Sequence, residues 1–164
     1  GLSQLDEGAA MPRESVSLLS LAQEAAASLS AAAQAQNVTL TVNGTAGTLT
    51  GVRRLLSETV RNLCENAVKY NVPGGSVTVT VAETPQAVTL TVADTGIGIP
   101  PADQSRVFER FYRVDKSHSR AIGGTGLGLS IVKHAVACHH GTVQLDSTPG
   151  QGTVITVTLP KVAA

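Results

Sequence analysis

Four polar residues are spaced so that they share one face of a predicted helix over residues 51–70. They lie at i, i+4, i+7 and i+8 beside an apolar stripe with the same helical repeat: Asn62, Asn66, Lys69 and Tyr70. The carboxamide oxygen of Asn66 could bind Mg²⁺ and Lys69 a phosphate, because Mg²⁺ keeps most of its waters and prefers phosphate oxygens. The alternative is a solvated helix face, with Lys69 stabilising the negative end of the helix.

A first glycine-rich segment runs from Asp94 to Pro100, directly after a strand predicted over residues 87–93. Its glycines allow the backbone to approach a flat ligand closely. The carboxylate of Asp94 could accept a hydrogen bond from an amino group such as that of adenine. A simple strand-to-helix turn explains the same pattern equally well.

A second glycine-rich segment, Gly123 to Leu129, opens a helix predicted over residues 127–140. Backbone N–H groups at such a helix start can bind phosphate. The segment lacks the Lys-Ser/Thr pair of a P-loop and the spacing of the dinucleotide fingerprint. Basic residues precede it: Arg113, Lys116, His118 and Arg120. They indicate either a solvated loop or a lid that brings positive charge over phosphates and excludes water.

The order of the predicted elements indicates how these segments are held together. Residues 1–12 are polar and without periodicity, which is typical of a linker. Helices are predicted over 15–36, 51–70, 106–113 and 127–140, with Gly141 as the C-terminal cap of the last. Strands are predicted over 38–42, 47–50, 76–82, 87–93, 142–147 and 152–159. This order predicts an α/β (α+β) two-layer sandwich, with a mixed, mostly antiparallel sheet covered on one face by about three helices.

Composition narrows the classes of partner. The 164 residues, 42% of them hydrophobic, fit one globular domain. Twelve basic residues balance 12 acidic ones, so nucleic acid is not an expected partner, and neither is direct contact with a membrane. Cys64 and Cys138 lie outside any metal-ligand spacing and fit a reducing, cytoplasmic location. No apolar run reaches the length that spans a bilayer.

Taken together and in this order, the segments resemble the catalytic domain of sensor histidine kinases. That family belongs to the superfamily of gyrase, mismatch-repair and heat-shock chaperone ATPases, with its Bergerat-type ATP-binding fold. The resemblance covers residues 15–160. Residues 62–70 are similar to the family's asparagine box, 94–98 to its first glycine box, 107–113 to its phenylalanine box and 123–128 to its second glycine box. Each box alone is weak, but four in the right order and spacing are highly specific.

The resemblance implies that the domain binds ATP and Mg²⁺. By position, Asp94 would bind the adenine amino group and Asn66 the metal. Asn62, Lys69 and Tyr70 would line the phosphate and nucleotide pocket, with Gly96, Gly98 and Ile99 near the base. The hinge of the lid and the phosphate contacts would come from the second glycine box: Gly124, Thr125, Gly126, Leu127 and Gly128. Asn62 and Lys69 would also serve catalysis, together with Arg113 and Arg120 in the lid.

Asn62 indicates the type of reaction. The hydrolytic members of the superfamily have a glutamate base at this position, and an asparagine cannot take a proton at neutral pH. Glu65 cannot replace that base, because it points about 100° around the helix from its neighbour Asn66. The resemblance therefore implies transfer of the γ-phosphoryl group to a histidine on a separate helical dimerisation domain. None of the four histidines of the chain matches that setting.

Gly1 to Gly8 resembles the tail of such a dimerisation domain. Residues 1–12 are therefore expected to be its remnant and 13–164 the catalytic domain, which alone would turn ATP over barely, if at all. The parent would be a homodimer, anchored in the cell membrane, that acts on a cognate response regulator. Alternatives are an ATPase clamp of the same superfamily, a nucleotide-binding pseudokinase and a serine-directed relative such as an anti-sigma-factor kinase. One departure is Gly51-Val52, where the family often has Gly-Asp; it should affect a helix start rather than the site.

Overall fold

The computed structural model describes residues 11–104, 106–108 and 128–161. They form seven strands and four helices. In chain order these are β1 (Glu14–Ser17), α1 (Leu18–Ala35), β2 (Thr39–Gly44), β3 (Thr48–Gly51), α2 (Arg53–Lys69), β4 (Ser76–Glu83), β5 (Ala87–Asp94), α3 (Pro101–Gln104), α4 (Gly128–Cys138), β6 (Thr142–Thr148) and β7 (Gly152–Pro160). Within this part of the chain, no helix is long and apolar enough to cross a membrane.

The main sheet has five strands in the order β2-β4-β5-β7-β6. β2 runs parallel to β4, and the other three pairings are antiparallel. Alternate residues of the three central strands face the core, because side chains of a strand point to opposite faces in turn. These are Val77, Val79, Val81, Val88, Leu90, Val92, Ile155, Val157 and Leu159. The opposite face carries mostly half-buried threonines: Thr78, Thr80, Thr89, Thr91, Thr156 and Thr158.

Three long helices, α1, α2 and α4, pack on the apolar face of this sheet and complete the main core. Each is amphipathic: the buried side of α2, for example, includes Leu56, Val60 and Leu63. The described architecture therefore confirms the predicted two-layer sandwich with a mixed, mostly antiparallel sheet and helices on one face.

The first helix begins later than predicted. Residues 15–17, which were predicted as helical, belong to β1 and pair with β3 in a separate two-stranded sheet. The hydroxyl of Ser17 accepts a hydrogen bond from the backbone N–H of Ser20 at 3.2 Å, so the helix starts at Leu18. Serine is a strong N-cap because it satisfies one of the free N–H groups of the first turn.

Helices α1 and α4 both end with a residue in the left-handed conformation, Asn37 (φ 57°) and His140 (φ 59°). After α4, His140 N–H bonds to the carbonyl of Ala137 and Gly141 N–H to that of Val136, which is the Schellman pattern. The prediction that Gly141 caps α4 by its backbone freedom is therefore wrong by one residue. Gly141 must be a glycine for a different reason, since a Cβ there would overlap the carbonyl oxygen of Thr158 on β7.

The short helix after β5 also differs from its prediction. It spans Pro101–Gln104, whereas helix was predicted from 106 to 113. Residues 106–108 form a turn in which Val107 is buried and Phe108 packs against the core. The remainder of that predicted helix lies outside the described residues.

Gly150, in the β6–β7 turn, and Gly152, at the start of β7, allow a test of close packing. Gly150 (φ +80°) and Gly152 (φ +130°) both have positive φ, but only at Gly152 would a Cβ overlap another atom, the carbonyl oxygen of Asp94. We expect Gly150→Ala to lower the free energy of unfolding by about 1 kcal/mol, the cost of backbone conformation alone. Gly152→Ala should cost more than about 3 kcal/mol, because β7 must move from β5. Urea unfolding of both variants measures this; equal losses would contradict the packing explanation.

Candidate functional site

The face of α2 that carries Asn62 and Asn66 is half-buried. Neither carboxamide forms a hydrogen bond with any residue in the described ranges. A half-buried amide is normally hydrogen-bonded, and no side-chain nitrogen or oxygen in this part of the chain is both fully enclosed and unbonded. The two amides are therefore accessible groups on a rigid helix, which is suitable for binding a ligand from outside the protein.

Glu65 lies on a different stripe of α2 from the two asparagines. Its carboxylate contacts Lys69 Nζ at 3.3 Å and Arg61 Nε at 3.8 Å, one helical turn to each side. These pairs are partly exposed, and such pairs contribute little to stability. Lys69 can therefore exchange its partner for a phosphate at small cost, while Glu65 is engaged with cations rather than with the asparagine face.

Asp94 ends strand β5, and one oxygen of its carboxylate is fixed by the backbone. Oδ1 accepts hydrogen bonds from Gly96 N–H at 2.9 Å and from Thr153 N–H at 3.2 Å. Oδ2 forms no hydrogen bond with the residues that the structure describes. Burial raises the pKa of Asp94 above its ordinary value of 3.8, and the two N–H donors oppose that rise. The result is an oriented acid group with one oxygen left to accept a hydrogen bond.

The loop after Asp94 is attached on one side to the end of α2. Ile97 N–H donates to the carbonyl of Tyr70 at 3.1 Å, and the Thr95 hydroxyl lies 3.3 Å from Asn71 Oδ1. A Cβ on Gly96 would overlap the same Tyr70 carbonyl oxygen. Because Tyr70 directly follows α2, these contacts join the loop after Asp94 to the C-terminal end of α2.

The same loop is attached on its other side to the β6–β7 turn. Ile99 N–H donates to Ser147 Oγ at 2.8 Å, and Gly150 N–H donates to the carbonyl of Ile97 at 2.8 Å. Gln104 Nε2 links the loop to β6, because it donates to the carbonyl of Ile99 at 2.8 Å and to that of Ser147 at 2.9 Å. A Cβ on Gly98, whose φ is +75°, would overlap the carbonyl oxygen of Thr148.

Sequence reasoning missed the residues that position this loop: Asn71, Gln104, Ser147 and Thr153. Their partners lie up to 59 residues away along the chain, and no local pattern identifies such pairs. The glycines of the first glycine box are also required by contacts inside the protein, at Tyr70 and Thr148. Contact of Gly96, Gly98 or Ile99 with a base remains a prediction.

Several residues predicted for the site lie outside the described part of the chain. These are Arg113, Lys116, His118, Arg120, Gly124, Thr125, Gly126 and Leu127. Gly128 is described and is the first residue of α4, which packs against α2. The structure thus brings the α2 face, Asp94 and the start of α4 onto one scaffold.

The comparisons with known proteins agree with this geometry. The family described as histidine kinase-, DNA gyrase B- and HSP90-like ATPases matches residues 51–163, and the chain belongs to it. Within the family, the similar proteins are sensor histidine kinases. The sensor-like histidine kinase SenX3 of Mycolicibacterium smegmatis is 40% identical over 162 residues, which are 98% of this chain and 42% of that protein. The chain therefore spans less than half the length of this curated relative.

Two solved structures extend the comparison. A mycobacterial sensor histidine kinase, MprB, superposes with a TM-score of 0.77 at 30% identity, covering 93% of this chain and 100% of that one. Full-length ShkA in complex with AMPPNP gives a TM-score of 0.80 at 27% identity, covering 94% of this chain and 32% of that one. The resemblance to the catalytic domain of sensor histidine kinases, inferred from the four boxes, is confirmed.

Burial of the Asp94 carboxylate predicts a pH-dependent cost to stability. Because the pKa of Asp94 is raised in the folded protein, folding favours the protonated carboxyl group over the carboxylate. The stability that the protonated group contributes is fully present below pH 3.8 and is lost as the pH rises through the folded pKa. Asp94→Asn keeps a carbonyl oxygen for the two N–H donors but removes the charge. We expect its free energy of unfolding to exceed that of the wild type at pH 7–8, by a margin that shrinks toward pH 4.

Urea unfolding of both proteins across this pH range is the measurement. Asp146→Asn, at an exposed position of β6, is the matched control and should show no such trend. A variant at position 94 that is less stable than the wild type at neutral pH would contradict the account.

Proposed function

We propose that this domain binds Mg-ATP between Asp94 and the asparagine face of α2, and that it presents the γ-phosphoryl group to a histidine of its parent protein. The observation that carries the proposal is the pair of unfilled polar sites on one rigid scaffold. One is the second oxygen of Asp94, and the other is the two carboxamides of Asn62 and Asn66. ShkA, a structural neighbour, was solved with the ATP analogue AMPPNP.

Asp94 would select the base. Its Oδ1 is occupied by two backbone donors, so Oδ2 is left to accept a hydrogen bond from the exocyclic amino group of adenine. Guanine has a carbonyl oxygen at the equivalent ring position, and a carboxylate would repel it. Tyr70 and the loop 95–99 would border the same end of the nucleotide.

The α2 face would bind the phosphates and the metal. Asn66 supplies a neutral oxygen ligand, which suits Mg²⁺ because this ion takes few protein ligands and keeps waters and phosphate oxygens. When bound, the ion would neutralise charge on the β- and γ-phosphates. Lys69 would leave Glu65 for a phosphate, and Asn62 would bind without activating water. The second glycine box and the lid arginines, Arg113 and Arg120, are proposed to complete the phosphate site.

The phosphoacceptor is proposed to lie on a helical dimerisation domain of the parent. His139, the one histidine that is buried in the described part of the chain, has both ring nitrogens in hydrogen bonds and cannot be that acceptor. From the resemblance to sensor histidine kinases, the parent is proposed to be a homodimeric sensor kinase anchored in the membrane, with a response regulator as its partner.

Loss of the Asp94 charge should abolish base recognition without unfolding the domain. In Asp94→Asn, the side-chain N–H₂ group can face the amino group of adenine. Two hydrogen-bond donors then oppose each other with no acceptor between them. We expect the affinity for AMPPNP to fall on the order of a hundredfold, as an unsatisfied polar group in the site costs 1–3 kcal/mol or more. Calorimetric titration measures it, and Asp146→Asn should bind as the wild type does. Wild-type affinity in Asp94→Asn would exclude this binding mode.

Removal of the Asn66 carboxamide should uncouple binding from the metal. We expect Mg²⁺ to increase the affinity of the wild type for AMPPNP. In Asn66→Ala this increase should be about tenfold smaller. Its affinity without Mg²⁺ should change little. Asn43→Ala, on the exposed edge strand β2, serves as the control. If Asn66→Ala keeps the full response to Mg²⁺, the metal is bound elsewhere.

Transfer rather than hydrolysis is tested on the full-length parent. Incubation with γ-labelled ATP should label one histidine, detected as an acid-labile, base-stable phosphate, and Asp94→Asn should abolish the label. The isolated domain should release little inorganic phosphate, because Asn62 does not activate water. Steady-state hydrolysis that Asn62→Ala abolishes would instead identify an ATPase, and nucleotide binding without any labelled histidine would identify a pseudokinase.

A further inference from the structure

The start of helix α2 is held by a residue that directly follows helix α4. Val52 is the N-cap residue of α2, and its side chain has no polar atom with which to cap. Its backbone N–H donates instead to Nε2 of His139 at 3.0 Å. His139 directly follows α4 and is 2% exposed, so this hydrogen bond is shielded from water.

The two hydrogen bonds of His139 define its protonation state. Nδ1 lies 2.8 Å from the carbonyl oxygen of Ala135, which can only accept, so Nδ1 carries the proton. Nε2 must then be the unprotonated nitrogen that accepts from Val52. Only the neutral Nδ1–H tautomer satisfies both contacts, because an imidazolium would place an N–H against the N–H of Val52.

The same imidazole packs closely against the backbone of Gly51. Its φ is not in the left-handed region, so backbone conformation does not require a glycine here. A Cβ at Gly51 would lie 2.8 Å from His139 Nε2 and 2.8 Å from Leu56 Cδ1. The absence of a side chain at Gly51 therefore leaves the space that the imidazole of His139 needs to reach Val52.

The hydrogen bond joins the two helices that border the proposed phosphate site. Val52 lies against His139, and Leu55, further along α2, clusters with Ala135, further back along α4. The helices therefore run antiparallel, with the asparagines late on α2 and Gly128 at the start of α4. Apolar contacts between them are non-directional and permit small sliding. A shielded hydrogen bond to the backbone fixes the position of α2 along its own axis.

We infer that His139 is a positioning residue for the nucleotide site: through Val52 and Gly51 it sets the axial position of α2 against α4, and with it the asparagine face. The inference rests on the proposed function. Burial is the main reason that the pKa of His139 is lowered below 6.5, which keeps the imidazole neutral. The hydrogen bond to Ala135 opposes this shift, whereas Arg13, which donates to the Cys138 carbonyl at 3.1 Å, and His140 add to it. On the α2 side, Arg53 is paired with Glu14 and both are exposed.

The test compares two replacements of similar size. His139→Gln retains an acceptor for Val52, and His139→Leu retains only the volume. Without ligand, we expect the Val52 amide of the Leu variant to exchange its hydrogen about tenfold faster or more, and the NMR resonances of Asn62, Asn66 and Gly128 to shift. The Gln variant should retain wild-type values, and so should His134→Gln, a control at an exposed histidine of α4.

The ligand-bound arm separates positioning from general damage. We expect His139→Leu to bind Mg-AMPPNP about tenfold more weakly, while its affinity for adenosine, which lacks the phosphates and in this proposal is bound on the Asp94 side, changes less than about twofold. Gly51→Ala, which crowds the imidazole without replacing it, should reproduce this selective loss.

Three results would overturn the inference. One is a Leu variant in which Val52 exchanges faster while Asn62, Asn66 and Mg-AMPPNP affinity stay unchanged. Another is an equal loss for both ligands. The third is a ring-nitrogen NMR spectrum with the proton on Nε2. Failure of the proposed function is distinct: the wild type would then bind neither ligand, while the ligand-free arm would still show whether His139 positions α2.

Discussion

The half-buried carboxylate of Asp94 is the group around which the site is organised. A charge removed from water is costly unless hydrogen bonds replace its hydration, and here two backbone N–H groups at one oxygen offset part of that cost. One donor is local, from Gly96, and the other comes from Thr153 on the next strand of the sheet. The carboxylate can therefore be oriented only when β5 and β7 are paired and the loop after β5 is tightly folded.

That requirement accounts for the contacts of several glycines. A Cβ at Gly96, Gly98 or Gly152 would overlap a carbonyl oxygen of Tyr70, Thr148 or Asp94 respectively. Each glycine thus lets a different neighbouring segment approach the loop closely. The loop is held between the end of α2 and the β6–β7 turn, and the Asp94 oxygen that is proposed to face the ligand gains its fixed position from these internal contacts.

The sequence predicted best what depends on local periodicity. The apolar stripe of α2, the alternation in β4 and β5, and the place of Asp94 at a strand end are all properties of adjacent residues. β1 was missed because four residues before a leucine- and alanine-rich helix show no strand period of their own, and their pairing with β3 is a tertiary contact. Ser147 and Thr153 were missed for the same reason. His139 lacked a signal too, since an imidazole that caps a distant helix resembles any other helix-terminal histidine.

The way Asp94 is bonded also has a consequence for biosynthesis. The segments that form its surroundings are spread along the chain, at residues 70–71, 94–99 and 147–153, and they meet only through the central sheet. A nascent chain that ends before Thr153 lacks one of the two donors to the carboxylate and lacks the strand beside β5. ATP that binds as proposed therefore cannot serve as a template for the early folding of this domain on the ribosome. The proposed nucleotide pocket comes into existence only when nearly all of these residues have been translated, and ATP bound there would stabilise the completed domain but not its precursors.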